Sequence, residues 1–119
     1  MRGDTVIRGA VYPIDLGVPR GHEQRGRRYG LVVSMSADNW SGATVIPTST
    51  GAMATTFRPE LEVAGQPTRF LCDQIRSIDT DYILGDPVGF LSRDEMAEVE
   101  FALSRYLGLV PSPDDYPRG

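Results

Sequence analysis

Val11-Tyr12-Pro13-Ile14-Asp15-Leu16 and Leu31-Val32-Val33 are two apolar runs, and between them lies Gly21-His22-Glu23-Gln24-Arg25-Gly26-Arg27-Arg28. β-branched and aromatic side chains suit a pleated, half-buried surface. The runs therefore predict strands over residues 8–16 and 29–35 around a long loop at 17–28. Pro13 suggests an edge or a bulge in the first strand. The loop holds Gly17, Pro19, Gly21 and Gly26, and Arg20, Arg25, Arg27 and Arg28 fall within nine positions of a chain whose net charge is −4. Crowding like charges into one loop does nothing for stability. It suits a site for an anion, and phosphodiester is the commonest candidate.

Outward from that pair the same reading continues. A turn at 36–42 precedes a strand at 43–48, and a loop at 50–56 precedes a strand at 58–63. Gly65-Gln66-Pro67 reads as a turn, 69–75 as a fifth strand, 79–82 as a short helical turn and 85–91 as a last short strand. One helix is expected over 93–107. Ser92 and Glu95 have the form of a capping box, Met96, Val99, Leu103 and Tyr106 recur at helical spacing, and Gly108 is placed to end it. The fold class is mainly β with a C-terminal helix, a small barrel that the helix partly covers.

The chain has 119 residues, enough for one domain, and is 40% hydrophobic and 24% charged. No apolar run approaches the roughly 20 residues of a membrane span, and Met1-Arg2-Gly3-Asp4 leads into no apolar leader. One cysteine, Cys72, precludes an internal disulfide and fits a reducing, cytoplasmic setting. The single histidine, His22, and the isolated Cys72 give no metal-ligand spacing. All twelve basic residues are arginines, the side chain best shaped for forked phosphate recognition. The acidic balance argues against non-specific coating of nucleic acid but not against a local basic site.

Two downstream segments join the loop. Val45-Ile46-Pro47-Thr48-Ser49-Thr50 ends a strand in hydroxyl residues, and Asp73-Gln74-Ile75-Arg76-Ser77-Ile78-Asp79 runs on from the end of the fifth strand. With Arg8-Gly9 and the ending Leu107-Gly108-Leu109, this ordered set resembles the MazF/PemK family of toxin endoribonucleases over residues 8–109. Arg2-Gly3-Asp4 matches the family's opening letters, but Arg8-Gly9-Ala10 has the right spacing to the loop. Residues 1–7 then form an N-terminal extension, and 110–119, with Pro111, Pro113 and Pro117, a flexible tail. The chain departs from the family pattern at Ala10, at His22 for a serine, and at Tyr29 for a proline.

The resemblance implies a small SH3-like β-barrel of the MazF/CcdB kind and the toxin of a type II toxin–antitoxin module. It further implies a cytoplasmic homodimer, restrained by a cognate antitoxin, that cuts single-stranded RNA without metal or cofactor. In that chemistry the ribose 2′-hydroxyl attacks the adjacent phosphate, leaving a 2′,3′-cyclic phosphate and a 5′-hydroxyl. The family's active-site arginine falls on Arg28 and its hydroxyl on Ser49, with Thr48 and Thr50 as neighbours that sequence does not exclude. Gly21, His22, Glu23, Gln24, Arg25, Arg27 and Gln74 are the candidate RNA contacts. Glu23 and His22 are the loop groups able to move protons near neutral pH.

Plainer readings stand beside these. Arg28 as a surface ion pair, Ser49 as a strand-end cap, His22 as an exposed loop residue and Gln74 as a backbone partner are all compatible with sequence. Trp40 and Tyr29 could stack on bases or pack, and Cys72 reads as a packed strand residue. A non-enzymatic toxin of the CcdB kind, poisoning DNA gyrase by protein contact, is the alternative. It would depend on the helix terminus and not on Arg28.

Overall fold

The computed structural model describes residues 6–17, 26–35, 41–53 and 55–109. Seven strands and one helix follow in order: β1 (Ala10–Asp15), β2 (Arg27–Val32), β3 (Gly42–Ser49), β4 (Glu60–Val63), β5 (Gln66–Phe70), β6 (Arg76–Asp79), β7 (Gly89–Phe90) and α1 (Arg93–Tyr106).

The first two apolar runs pair as an antiparallel hairpin in which Val11 opposes Leu31 and Asp15 opposes Arg27. β2 begins at Arg27, so the basic pair Arg27-Arg28 lies in a strand and not in the loop that sequence assigned to 17–28. Charged residues weaken the apolar signal of a strand end, yet the ladder to β1 fixes them. Below that ladder, Leu16 N–H donates to Gly26 O at 2.9 Å and Gly26 N–H to Gly17 O at 2.6 Å. Gly17 (φ 82°) and Gly26 (φ 81°) sit in the left-handed region, where a β-carbon would be strained. Gly17 and Gly26 are therefore held together two residues before Arg28.

β3 is the hub. β2 lies along one side, with Gly30 opposite Pro47 and Val32 opposite Val45. Along the other side lie β6, over Gly42 to Val45, and β5, at Thr48 and Ser49. The expected fifth strand at 69–75 holds only the end of β5, then a 3-10 turn at Cys72–Gln74, and β6 begins beyond it at Arg76. A short apolar run with no Gly or Pro gives sequence no sign of such a break. Cys72 sits in that turn and not in a strand, though fully buried as expected. A second 3-10 turn, Thr80–Tyr82, is capped by Asp79. It returns the chain to β1, where Ile83 bridges Ile14 and Leu84 N–H donates to Pro13 O at 2.9 Å. That contact nearly closes the barrel.

The turn expected at 65–67 is displaced. Ala64 (φ 50°) and Gly65 (φ 81°) form a two-residue turn, while Gln66 and Pro67 belong to β5. Pro67 is tolerated because it opposes Glu62 in a pair that needs no N–H on the β4 side, and β3 accompanies β5 only at Arg69 and Phe70.

Strand alternation separates two cores. Tyr12, Ile14, Val32, Val45 and Ile78 fill one face. Val11, Leu31, Ile46 and Phe70 fill the other, where Met96, Val99 and Ala102 of α1 cover them. The capping box is present, with Ser92 Oγ accepting from Glu95 N–H at 3.2 Å and Glu95 Oε1 from Ser92 N–H at 2.8 Å. Tyr106, the last of the residues at helical spacing, is 41% exposed and meets the ring of Phe57 edge-on at 5.3 Å. Val6, in the expected extension, packs on the first core, while residues 1–5 and the tail at 110–119 lie outside the described residues.

Candidate functional site

Residues that oppose one another in a sheet share a face. Arg28 opposes Ile14, so it lies on the face of the first core, at its end, and is half-buried. On β3, Val45 belongs to that same core, and Pro47 and Ser49 follow it at the two-residue period. Ser49 and Arg28 therefore share a face. The β2–β3 register ends at Gly30 and Pro47; continued by two residues, it sets Arg28 opposite Ser49. At that point a side chain replaces the backbone ladder, Thr48 Oγ1 donating to Tyr29 O at 3.1 Å.

The two neighbouring hydroxyls consequently differ. Thr48 is 4% exposed, opposes buried Phe70 and has its proton engaged by Tyr29 O. Ser49 is half-buried, and its Oγ accepts from Gly51 N–H at 3.2 Å, which leaves its O–H as a donor. That acceptor bond is also the strand-end turn of the plainer reading. Thr50 is exposed just beyond the strand.

Arg27 is exposed and opposes Asp15, and Tyr29, on the opposite face from Arg28, is 44% exposed. Gly21, His22, Glu23, Gln24 and Arg25, with Arg20, lie outside the described residues, as does Trp40.

Gln74 closes the 3-10 turn, its N–H donating to Leu71 O at 2.8 Å, and Leu71 N–H in turn donates to Pro47 O at 2.9 Å beside the site hydroxyls. An unforeseen ion pair holds this turn. Arg58 Nε and Nη2 donate to the two Asp73 oxygens at 2.9 and 2.8 Å. The Arg58 hydrogen bonds hold the Asp73 carboxyl below its ordinary range; partial burial opposes them, and the Gln74 side chain adds a weaker bond. Burial, aided by the Asp73 charge, pushes the Cys72 thiol up to about 12, so it is no nucleophile at neutral pH.

Two further arginines reach this face through the register. Arg76 opposes Val45, and Arg69 opposes Ser49. Sequence assigned them no role, because cross-strand partnership leaves no trace in a single chain's spacing. A shallow depression of about 400 Å³ lies on the β4–β5 hairpin, at the margin of this face. Its rim carries Glu60 and Glu62, which repel phosphate. Among the described residues no three His, Cys, Asp or Glu side chains converge as metal ligands, and no helix is long and apolar enough to cross a membrane.

Residues 7–107 match the family described as PemK-like, MazF-like toxin of type II toxin–antitoxin system. The candidate toxin Rv3098A of Mycobacterium tuberculosis is 62% identical over 105 residues, 87% of this chain and 99% of that protein. Endoribonuclease MazF9 of the same organism is 32% identical over 114 residues, 86% and 96% of the two chains. The crystal structure of MazF from Deinococcus radiodurans superposes with a TM-score of 0.77 at 28% identity, covering 88% of this chain and 98% of that one. A mycobacterial endoribonuclease solved in complex with its cognate antitoxin shares the fold, with a TM-score of 0.74 at 24% identity over 91% and 99% of the chains.

Proposed function

The chain belongs to the PemK-like, MazF-like toxins of type II toxin–antitoxin systems, and we propose that it is an endoribonuclease that cuts single-stranded RNA without metal. One observation carries the proposal: Arg28 and Ser49 have the same strand phase on neighbouring strands, each two residues beyond the last pair of the β2–β3 ladder, Gly30 and Pro47.

The reaction transfers a proton from the ribose 2′-hydroxyl, builds charge on a five-coordinate phosphorus, and returns a proton to the departing 5′-oxygen. Arg28 meets the middle requirement. Its guanidinium stays charged and offers forked N–H donors to the non-bridging oxygens, so it stabilises the phosphorane and does not act as a base. Ser49 donates its O–H to the same phosphate. It takes that role in preference to Thr48, whose hydroxyl joins β3 to β2. Proton transfer falls to Glu23 or His22, the groups of the 17–28 segment able to move protons near neutral pH.

Gly21, Gln24, Arg25, Arg27 and Gln74 contact the RNA in this reading, and Gln74 can address a base edge through its amide. The active unit is a cytoplasmic homodimer. The similarity to the endoribonuclease MazF9 and to the mycobacterial endoribonuclease in complex with its antitoxin supports the enzyme and a cognate antitoxin here. An acidic antitoxin segment would dock on the arginines of the loop.

The test is incubation of a long single-stranded RNA with the protein in chelator. Products ending in 2′,3′-cyclic phosphate and 5′-hydroxyl are expected. Toxicity that survives Arg28→Ala but is abolished by changes at Leu107 to Leu109 would establish the gyrase-poison reading instead.

A further inference from the structure

A single cross-strand row runs over five strands on one face: Ile14, Arg28, Ser49, Arg69, Glu60. Three of its steps are ladder pairs, and the step from Arg28 to Ser49 continues the β2–β3 register. Ser49 thus has an arginine-bearing strand on each side, and its ladder partner Arg69 has a β-carbon about 5 Å from its own. The inner pairs are unlike a purely structural ladder, which places opposite charges face to face. Here two like charges flank a hydroxyl.

Arg69 is restrained lightly. Its Nη2 lies 3.4 Å from Glu60 Oε1, and its Nη1 donates to Arg58 O at 3.3 Å. Both distances are long for charge-assisted bonds. The Glu60 side chain is 51% exposed and that of Arg69 25%, so water weakens the pair. A guanidinium has five N–H donors, and these contacts leave others for a third partner. β4 is an edge strand of the sheet, which places Glu60 at the margin and Arg69 between it and the site hydroxyl.

We propose that Arg69 is a further RNA-contacting arginine, outside the 20–28 cluster. It grips the phosphate next to the scissile one, on the β5 side of Ser49, while Glu60 competes with RNA for it. The proposal rests on the ribonuclease reading above. Arg28 acts on the phosphate that reacts; Arg69 fixes the register of the strand and contributes equally to ground and transition states. Its loss therefore raises KM and spares kcat. A merely structural Arg69–Glu60 pair behaves otherwise, since removal of either partner then weakens the same hairpin.

The experiment compares wild type, Arg69→Gln, Arg69→Lys and Glu60→Gln. Binding is read with a short random-sequence 2′-O-methyl RNA pool, which lacks the attacking hydroxyl, over a series of salt concentrations. Cleavage of unmodified RNA gives KM and kcat. Arg69→Gln should bind about 3- to 10-fold more weakly, and the slope of log affinity against log salt should shrink by about 0.7, the value of one single-strand phosphate contact. Arg69→Lys should retain the slope, and Glu60→Gln should bind tighter. Wild-type affinity and slope in Arg69→Gln, or weakening in both Arg69→Gln and Glu60→Gln, overturns the proposal while leaving the ribonuclease intact. Wild-type protein that neither binds nor cleaves RNA overturns both.

Discussion

Thr48 and Ser49 are adjacent hydroxyls with opposite employment. Thr48 points into the apolar face under α1 and bonds Tyr29 O; Ser49 lies on the face of Arg28 with a free donor hydrogen. Ser49→Ala should lower kcat by about 10- to 100-fold, somewhat less than the loss of a full oxyanion donor, with the melting temperature unmoved. Thr48→Val should do the reverse, losing about 1 kcal/mol of stability for one buried hydrogen bond and holding kcat within a few fold. Steady-state kinetics and thermal melts of the two variants separate the roles, and equal losses of kcat would contradict the division. Sequence narrowed the choice to these residues through the strand-ending Pro47-Thr48-Ser49 but could not divide them. The division depends on which face each occupies, and a one-residue shift in strand phase exchanges the two.

Two elements set the site. β2 carries Arg28, and two residues on it holds Gly30, where an added β-carbon would lie 2.5 Å from Ile14 Cδ1. Ile14 is fully buried and has little room to retreat. Gly30→Ala should cost about 1–3 kcal/mol by overpacking, seen as a lower denaturant midpoint, and should disturb Arg28, the ladder partner of Ile14. Stability equal to wild type would show that β1 and β2 can part there.

The second element is the 3-10 turn at Cys72–Gln74, held by Arg58 and Asp73. The Asp73 pKa is lower in the folded chain than unfolded, so the pair contributes its full stability above the unfolded pKa near 4. That contribution is lost as pH falls through the folded value. Asp73→Asn should therefore destabilise the protein by about 1–2 kcal/mol at pH 7, and the difference from wild type should vanish in strong acid. Melts across pH 2 to 7 read this directly, and a constant difference would refute it. The strands of β1, β3 and the helix α1 were legible because apolar period and caps are local signals. The break between β5 and β6, the Ala64-Gly65 turn and the Arg58–Asp73 pair were not. They answer to the path of β3, whose one side must receive two successive strands.

The whole molecule carries net charge −4 with all of its cationic charge on arginine. Its charge does not draw it to nucleic acid in bulk, so the RNA recognition proposed above would have to rest on a local group of arginines. The resemblance to MazF/PemK toxins was readable because that end is built from three segments in a fixed order. The family match over residues 7–107 bears out the resemblance, and the nearly closed seven-stranded barrel bears out the fold. RNA affinity should fall steeply with salt if phosphate contacts dominate.

The central claim is that the Arg28 guanidinium stabilises the phosphorus centre in flight, and the single-turnover cleavage rate of Arg28→Ala on saturating single-stranded RNA tests it most directly. A fall of about 100- to 1000-fold, the usual loss of one transition-state donor, is the expected result. A rate within a few fold of wild type would contradict it.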